Sequence, residues 1–204
     1  LVEMHLPKDS PAFEYVSAIQ DASKRGANLV SQLLSFSSPE GGMRQPLRIN
    51  DILDSAKELY RSLLGRGNEI VLEFDKEIPE ISGDLSQVQQ IITNLIANAK
   101  DAVAGTTGGK VTITTSKVRL RSGEIDPELS PGLYARIDVA DNGKGMNAEE
   151  QARCFEPFFT TKRGSGGSGL GLSIVYNLVT QQLGGSIRCE SVVGQGSRFI
   201  LSPP

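Results

Sequence analysis

Apolar positions change their spacing several times along this chain, and each change marks an element. After Ser10-Pro11, apolar or small residues recur at Phe13, Val16, Ile19, Ala22, Gly26 or Ala27, Val30, Leu33 and Leu34. That is three-and-four spacing. Serine suits an N-cap and proline the first helical position, so an amphipathic helix over residues 11–37 is predicted. A helix that long with one apolar stripe must bury it against something. Residues 38–48, rich in Ser, Pro and Gly, break the pattern and read as a hinge or linker.

A second unit follows. Asn50 can cap a helix running to Leu64, with Ile52, Leu53, Ala56, Leu59, Tyr60 and Leu63 on one face. Glu69 to Phe74 alternates as a strand. Asp84 can cap a helix carrying Leu85, Val88, Ile91, Ile92, Leu95, Ile96 and Ala99. Lys110 to Val118 has period two and is β-rich, residues 120–132 read as a surface loop, and Leu133 to Ala140 is a further strand. Leu170 to Leu183 reads as a helix closed by Gly184-Gly185, followed by strands at Ser186–Ser191 and Ser197–Leu201. The pattern predicts an α+β fold, a two-layer sandwich with helices on one face of a mixed sheet, preceded by a long helix. The expected organisation is a helical segment at 1–38, a linker at 39–48 and a globular domain at 49–204.

Composition narrows the classes. The 204 residues carry a net charge of -3, unlike the basic footprint of a nucleic-acid binder. No apolar run is long enough for a membrane span, and no signal-peptide pattern opens the chain. The expectation is a cytoplasmic segment cut from a longer parent, with any membrane anchor lying outside it. Cys154 and Cys189 are far apart in sequence and read as two free thiols, without metal or redox spacing. His5 is the single histidine.

Four short segments carry the candidate chemistry. Asn94 and Asn98 lie four residues apart on one helical face, among Leu95, Ile96 and Ala97, where two amides need partners. Asp141 ends a predicted strand and is followed by Gly143 and Gly145, which permit positive φ and close backbone approach; the same run is also a common turn. Phe155, Pro157, Phe158 and Phe159 form an apolar cluster ahead of Thr160, Thr161, Lys162 and Arg163, and Gly164 to Gly167 has almost no side chain to order it. Gly169-Leu170-Gly171-Leu172 opens the next helix, whose backbone N–H groups suit phosphate. No Gly-Lys-Ser or Gly-Lys-Thr completes a P-loop, and no strand leads into the glycines as a dinucleotide fold requires.

In this order and spacing the segments resemble the N, G1, F and G2 boxes of sensor histidine kinases, over residues 44–202. The Phe-Phe-Thr-Thr-Lys version of the F box is similar to that of the nitrogen-regulatory branch. The resemblance implies the ATP-binding α/β sandwich shared with gyrase, MutL and Hsp90, with ATP and Mg²⁺ as cofactors. It implies nucleotide contacts at Asn94, Asn98, Asp101, Asp141, Gly143, Lys144, Gly145, Met146, Thr161, Lys162, Gly167, Gly169, Leu170, Gly171, Leu172 and Ser197. Within that set Asn98 would hold the metal, Asp141 would accept from the adenine amino group, and Ser197 would support Asp141.

The same resemblance implies that the 11–37 helix is the second arm of a dimerising hairpin, and that the γ-phosphoryl group goes to a histidine on the first arm. His5 is followed by Leu6-Pro7-Lys8, where proline stops a helix, so the acceptor is expected outside this chain. Expected partners are a histidine-bearing helix, a response regulator receiver domain and a second copy in a homodimer, with no nucleic acid. Two rivals remain: an ATPase of the gyrase, MutL or Hsp90 type, and a non-catalytic ATP-sensing dimerisation module. In the ATPase branches a glutamate stands where this chain has Asn94, which cannot take a proton from water.

Overall fold

A computed structural model describes residues 12, 13, 15, 16, 19, 43–121, 130–162 and 167–204. The chain divides into two units, Glu40–Phe159 with Gly169–Pro204, and Leu1–Pro39 with Thr160–Ser168. In the second of these Ala12, Phe13, Tyr15, Val16 and Ile19 are helical; the rest of the expected 11–37 helix, and His5, lie outside the described residues.

The larger unit runs β1 (Gln45–Leu47), α1 (Ile49–Ser55), α2 (Lys57–Leu64), β2 (Glu69–Phe74), β3 (Ile81–Gly83), α3 (Leu85–Ala102), β4 (Lys110–Leu120), β5 (Gly132–Asp141), α4 (Ala148–Arg153), α5 (Gly171–Asn177), β6 (Ser186–Val192) and β7 (Gly196–Ser202). Five strands form one sheet in the order β2-β4-β5-β7-β6. Only the β2–β4 pair is parallel, so the sheet is mixed, as expected. A small antiparallel ribbon joins β1 to β3.

Alternation along the strands decides which face is covered. Val111 and Ile113 of β4, Ala135, Ile137 and Val139 of β5, and Phe199 and Leu201 of β7 join one core with Leu53 of α1, Tyr60 of α2 and Val175 of α5. Helix α3 supplies most of its helical side: Val88, Ile91, Ile92, Leu95, Ile96 and Ala99 are buried at helical spacing. Replacing the fully buried Ile96 with alanine would cost about 2–5 kcal/mol. On the other face the buried Asp138 carboxylate receives Arg136 Nε at 2.9 Å and a guanidinium nitrogen of Arg198.

Several elements differ from the sequence pattern. The helix expected from Asn50 to Leu64 breaks at Ala56, and Asn50 does not cap it; the N-cap position belongs to Arg48. Asn50 instead donates through Nδ2 to the Asp75 carbonyl (2.8 Å) and accepts from Thr115 Oγ1 (2.8 Å), a tertiary use that periodicity does not reveal. Strand β1 lies inside the stretch read as a linker, because Leu47 is buried and pairs with Ile81. Helix α4 was not anticipated, although Asn147 and Glu150 form a capping box at its start. The helix expected over 170–183 ends in a widened π turn at Leu178–Gln182, where Leu183 N–H donates to Leu178 O, and Gly184 takes φ +71° after it. Asp84 caps α3 as expected, accepting from the N–H groups of Ser86 and Gln87.

Candidate functional site

Helix α3 gathers the site. Asn94 and Asn98 project from it one turn apart, and the amide nitrogen of each is buried without a hydrogen-bond partner among the described residues. An unpaired buried amide costs about 1–3 kcal/mol, so two on one helical face mark a place built for something else to occupy. Gly171, the first residue of α5, stands over this spot: a Cβ there would lie 3.7 Å from Asn98 Nδ2 and 3.9 Å from Asn98 Oδ1. No side chain caps the start of α5. Asp101, one turn beyond Asn98, is exposed.

The C-terminal end of the same helix holds the Asp141 loop. Lys144 N–H donates to Ala102 O at 3.0 Å, and a Cβ on Gly143 would run into the Ala102 carbonyl. Gly143 is therefore required by close packing. Gly145 has φ +65° and its α-carbon faces the Val192 carbonyl, so the loop is pressed between α3 and the β6–β7 hairpin. Gly194 N–H donates to Lys144 O at 2.8 Å, and Met146 N–H to Ser191 Oγ at 2.8 Å. Lys144 itself is exposed, whereas Met146 is partly buried against the core. Asp141 Oδ1 accepts from Gly143 N–H at 2.8 Å. Ser197 is the register partner of Asp141 across β5–β7, and its hydroxyl lies 2.9 Å from Ser191 Oγ. Ser191 was not singled out in the sequence. It links Met146, Gly196 and Ser197, and only the pairing of β6 with β7 makes that visible.

Phe155 and Phe158 behave differently. The Phe155 ring packs 5.5 Å from Tyr176 and 6.3 Å from Phe199. Phe158 is 57% exposed with φ +64°, a strained conformation for an aromatic residue. Gly169, at φ +70°, lies against the Phe158 backbone, where its missing Cβ would stand 2.5 Å from the Phe158 carbonyl carbon. The Arg153 guanidinium sits 4.6 Å over the Phe159 ring. Leu170 is buried and Leu172 packs on the core, so these two act through packing while Gly169 and Gly171 leave room.

Thr161, Lys162 and Gly167 belong to the other unit. There Lys162 N–H donates to Thr160 Oγ1 at 3.0 Å, and Gly167 N–H to Lys162 O at 3.2 Å, so the two ends of the glycine stretch meet. Arg163 and residues 164–166 lie outside the described residues.

The two cysteines are free thiols, as expected. Although far apart in sequence, Cys154, at the end of α4, and Cys189 of β6 belong to elements that meet, since Gln151 Nε2 donates to the Cys189 carbonyl at 2.8 Å. Among the described residues no group of three or more His, Cys, Asp or Glu side chains could hold a metal. A Mg²⁺ ion held by one amide oxygen, phosphates and water needs no such cluster. Among those residues, too, no helix is long and apolar enough to cross a membrane.

Residues 83–204 match the family described as histidine kinase-, DNA gyrase B-, and HSP90-like ATPase. The chain is 34% identical over 206 residues to the sensor kinase CckA of Brucella abortus (strain 2308), covering 100% of this chain and 21% of that protein. It is 32% identical over 188 residues to the sensory histidine kinase/phosphatase NtrB of Rhizobium leguminosarum bv. phaseoli, covering 91% of this chain and 48% of that one. Among solved structures, full-length ShkA in complex with AMPPNP superposes with a TM-score of 0.73 at 28% identity, over 94% of this chain and 38% of ShkA. The chain thus spans about a fifth to a half of the length of these relatives.

Proposed function

The chain belongs to the histidine kinase-, DNA gyrase B- and HSP90-like ATPase family, and from that premise we propose that it is the ATP-binding catalytic region of a sensor histidine kinase. Its parent would pass the γ-phosphoryl group of ATP to a histidine outside this chain and then to a response regulator receiver domain. The observation that carries the reading is the pair of amide nitrogens of Asn94 and Asn98 on α3, buried without a partner among the described residues, with Asn98 beneath the first residue of α5. Likeness to two sensor kinases along nearly the whole chain supports it.

The residues have distinct work in this reading. Asp141, held at the end of β5 by Gly143 N–H, recognises the adenine amino group. Asn94 and Asn98 would donate through Nδ2 to phosphate oxygens, and Asn98 Oδ1 would be the protein oxygen for Mg²⁺, which would screen the phosphate charge. Gly169 and Gly171 keep side chains away from the phosphates. Ser191 and Ser197 tie the β6–β7 hairpin to the Asp141 loop. Asn94 cannot accept a proton, so water is not activated from that position and transfer to an external nucleophile is favoured over hydrolysis. That argues against the ATPase rival. Catalysis then rests on positioning and charge stabilisation. A second copy in a homodimer, and a histidine-bearing helix as phosphoacceptor, belong to the same proposal.

Calorimetric titration with a non-hydrolysable ATP analogue and Mg²⁺ tests it. Wild type binds; Asp141→Asn weakens binding by about tenfold or more, the loss of one hydrogen bond to a charged group. Asn98→Ala abolishes the dependence on Mg²⁺. A folded wild-type chain that fails to bind would overturn the reading and leave a module kept for dimerisation alone.

A further inference from the structure

Cys154 and Cys189 meet between two anchors. Gln151 Nε2, one turn before Cys154, donates to the Cys189 carbonyl at 2.8 Å and sets α4 on β6. Phe155, the next residue after Cys154, packs 6.3 Å from Phe199, which is the register partner of Cys189. Between these contacts Cys154 and Cys189 are brought side by side. Cys154 is 4% exposed and Cys189 is partly exposed. Neither thiol has a part in the nucleotide site, yet each adjoins it: Cys189 lies two residues before Ser191, and Cys154 directly precedes the Phe155 cluster.

We propose that Cys154 and Cys189 form a dithiol site that a small peroxide oxidises to an intramolecular disulfide, fastening α4 to β6. The neighbouring Cys189 thiol lowers the pKa of Cys154, whereas Cys154 and then burial raise that of Cys189, so Cys154 is the thiol that ionises first. Its thiolate attacks one peroxide oxygen and the O–O bond breaks. Cys154 becomes a sulfenic acid, and the departing hydroxide takes a proton to leave as water. The Cys189 sulfur then attacks the Cys154 sulfur, the S–O bond breaks, and the second hydroxide leaves as water with the Cys189 proton. Two thiols and one peroxide give one disulfide and two waters. Access comes through α4, which has six residues and none of them buried, so it opens at low cost.

Hydrogen peroxide is added to the folded chain, remaining thiols are alkylated, and peptides are mapped by mass spectrometry without and with reductant. The expected result is loss of two alkylatable thiols, a Cys154–Cys189 peptide within one chain, a rate independent of protein concentration, and full recovery with dithiothreitol. The same treatment of the denatured chain should close the pair about tenfold more slowly, because the contact is then lost. Cys189→Ser should leave a sulfenic acid on Cys154 that a cyclic dione traps, while wild type gives little. If that variant fails to fold, mapping of wild type alone decides. Two thiols still alkylatable after peroxide, a disulfide formed only between chains, or equal rates in folded and denatured protein would each overturn the proposal.

Discussion

Gly171 stands directly over the Asn98 side chain, with room for a Cβ 3.7 Å from its amide nitrogen. That distance is ordinary contact, and Gly171 does not have positive φ, so the fold tolerates a methyl group there. Gly171→Ala is expected to keep or raise the melting temperature, by about 0.4–1 kcal/mol of stability from the reduced freedom of the unfolded chain. Nucleotide binding should nevertheless fall, because the methyl group occupies the approach to the Asn94–Asn98 face. A thermal melt beside a titration separates the two effects; unchanged affinity would remove Gly171 from the site.

Gly143 is the opposite case. Its missing Cβ faces the Ala102 backbone, which cannot retreat as a flexible side chain could. Gly143→Ala should cost about 1–3 kcal/mol through overpacking. Denaturant unfolding would report it as a lower midpoint with or without nucleotide.

Asp84 caps α3, the helix that carries both asparagines. Asp84→Ala should cost about 1 kcal/mol, measured by chemical unfolding. The Ser86 hydroxyl, and then the Gln87 and Ser86 N–H groups, lower the Asp84 pKa from its usual 3.8. For a carboxylate lowered on folding, the stabilisation is complete above the unfolded value and fades as pH falls through the folded one. The wild-type advantage over Asp84→Asn should therefore be constant at neutral pH and shrink only below 3.8.

The Tyr60 hydroxyl is buried and has no partner among the described residues, and burial pushes its pKa up from 10.0 to about 12. Tyr60→Phe removes an unsatisfied group and should leave stability at pH 7 unchanged or raise it by about 1 kcal/mol. The alkaline behaviour is more specific. An acid whose pKa is raised on folding contributes fully below 10.0, and that contribution is lost as pH rises through about 12. Wild type should therefore lose stability across that window relative to Tyr60→Phe. Parallel pH profiles of the two proteins would discount the buried phenol.

Much of this was legible in the chain because the deciding physics is local. The period of Val88, Ile91, Ile92, Leu95 and Ile96 could only be a buried helical face, and Val111 and Ile113 could only alternate on a strand. Motif order put Asn98 and Gly171 in one family pattern before their contact was visible. Other residues were misread for equally physical reasons. Asn50 has the chemistry of a cap but spends its amide on Asp75 and Thr115, and strand β1 exists only because β3 is there to pair with it.

The sequence by itself therefore determined the class of fold, the helices and strands of strong period, and the four boxes, since each rests on residues close together in the chain. Tertiary structure decided the rest. It placed Gly143 against Ala102, left two amide nitrogens of α3 buried without partners among the described residues, joined Ser191 to Ser197 across the β6–β7 hairpin, and set Gln151 of α4 on the Cys189 carbonyl. These are relations between segments far apart in sequence, and spacing along one strand or helix carries no information about what the sheet will later set beside it.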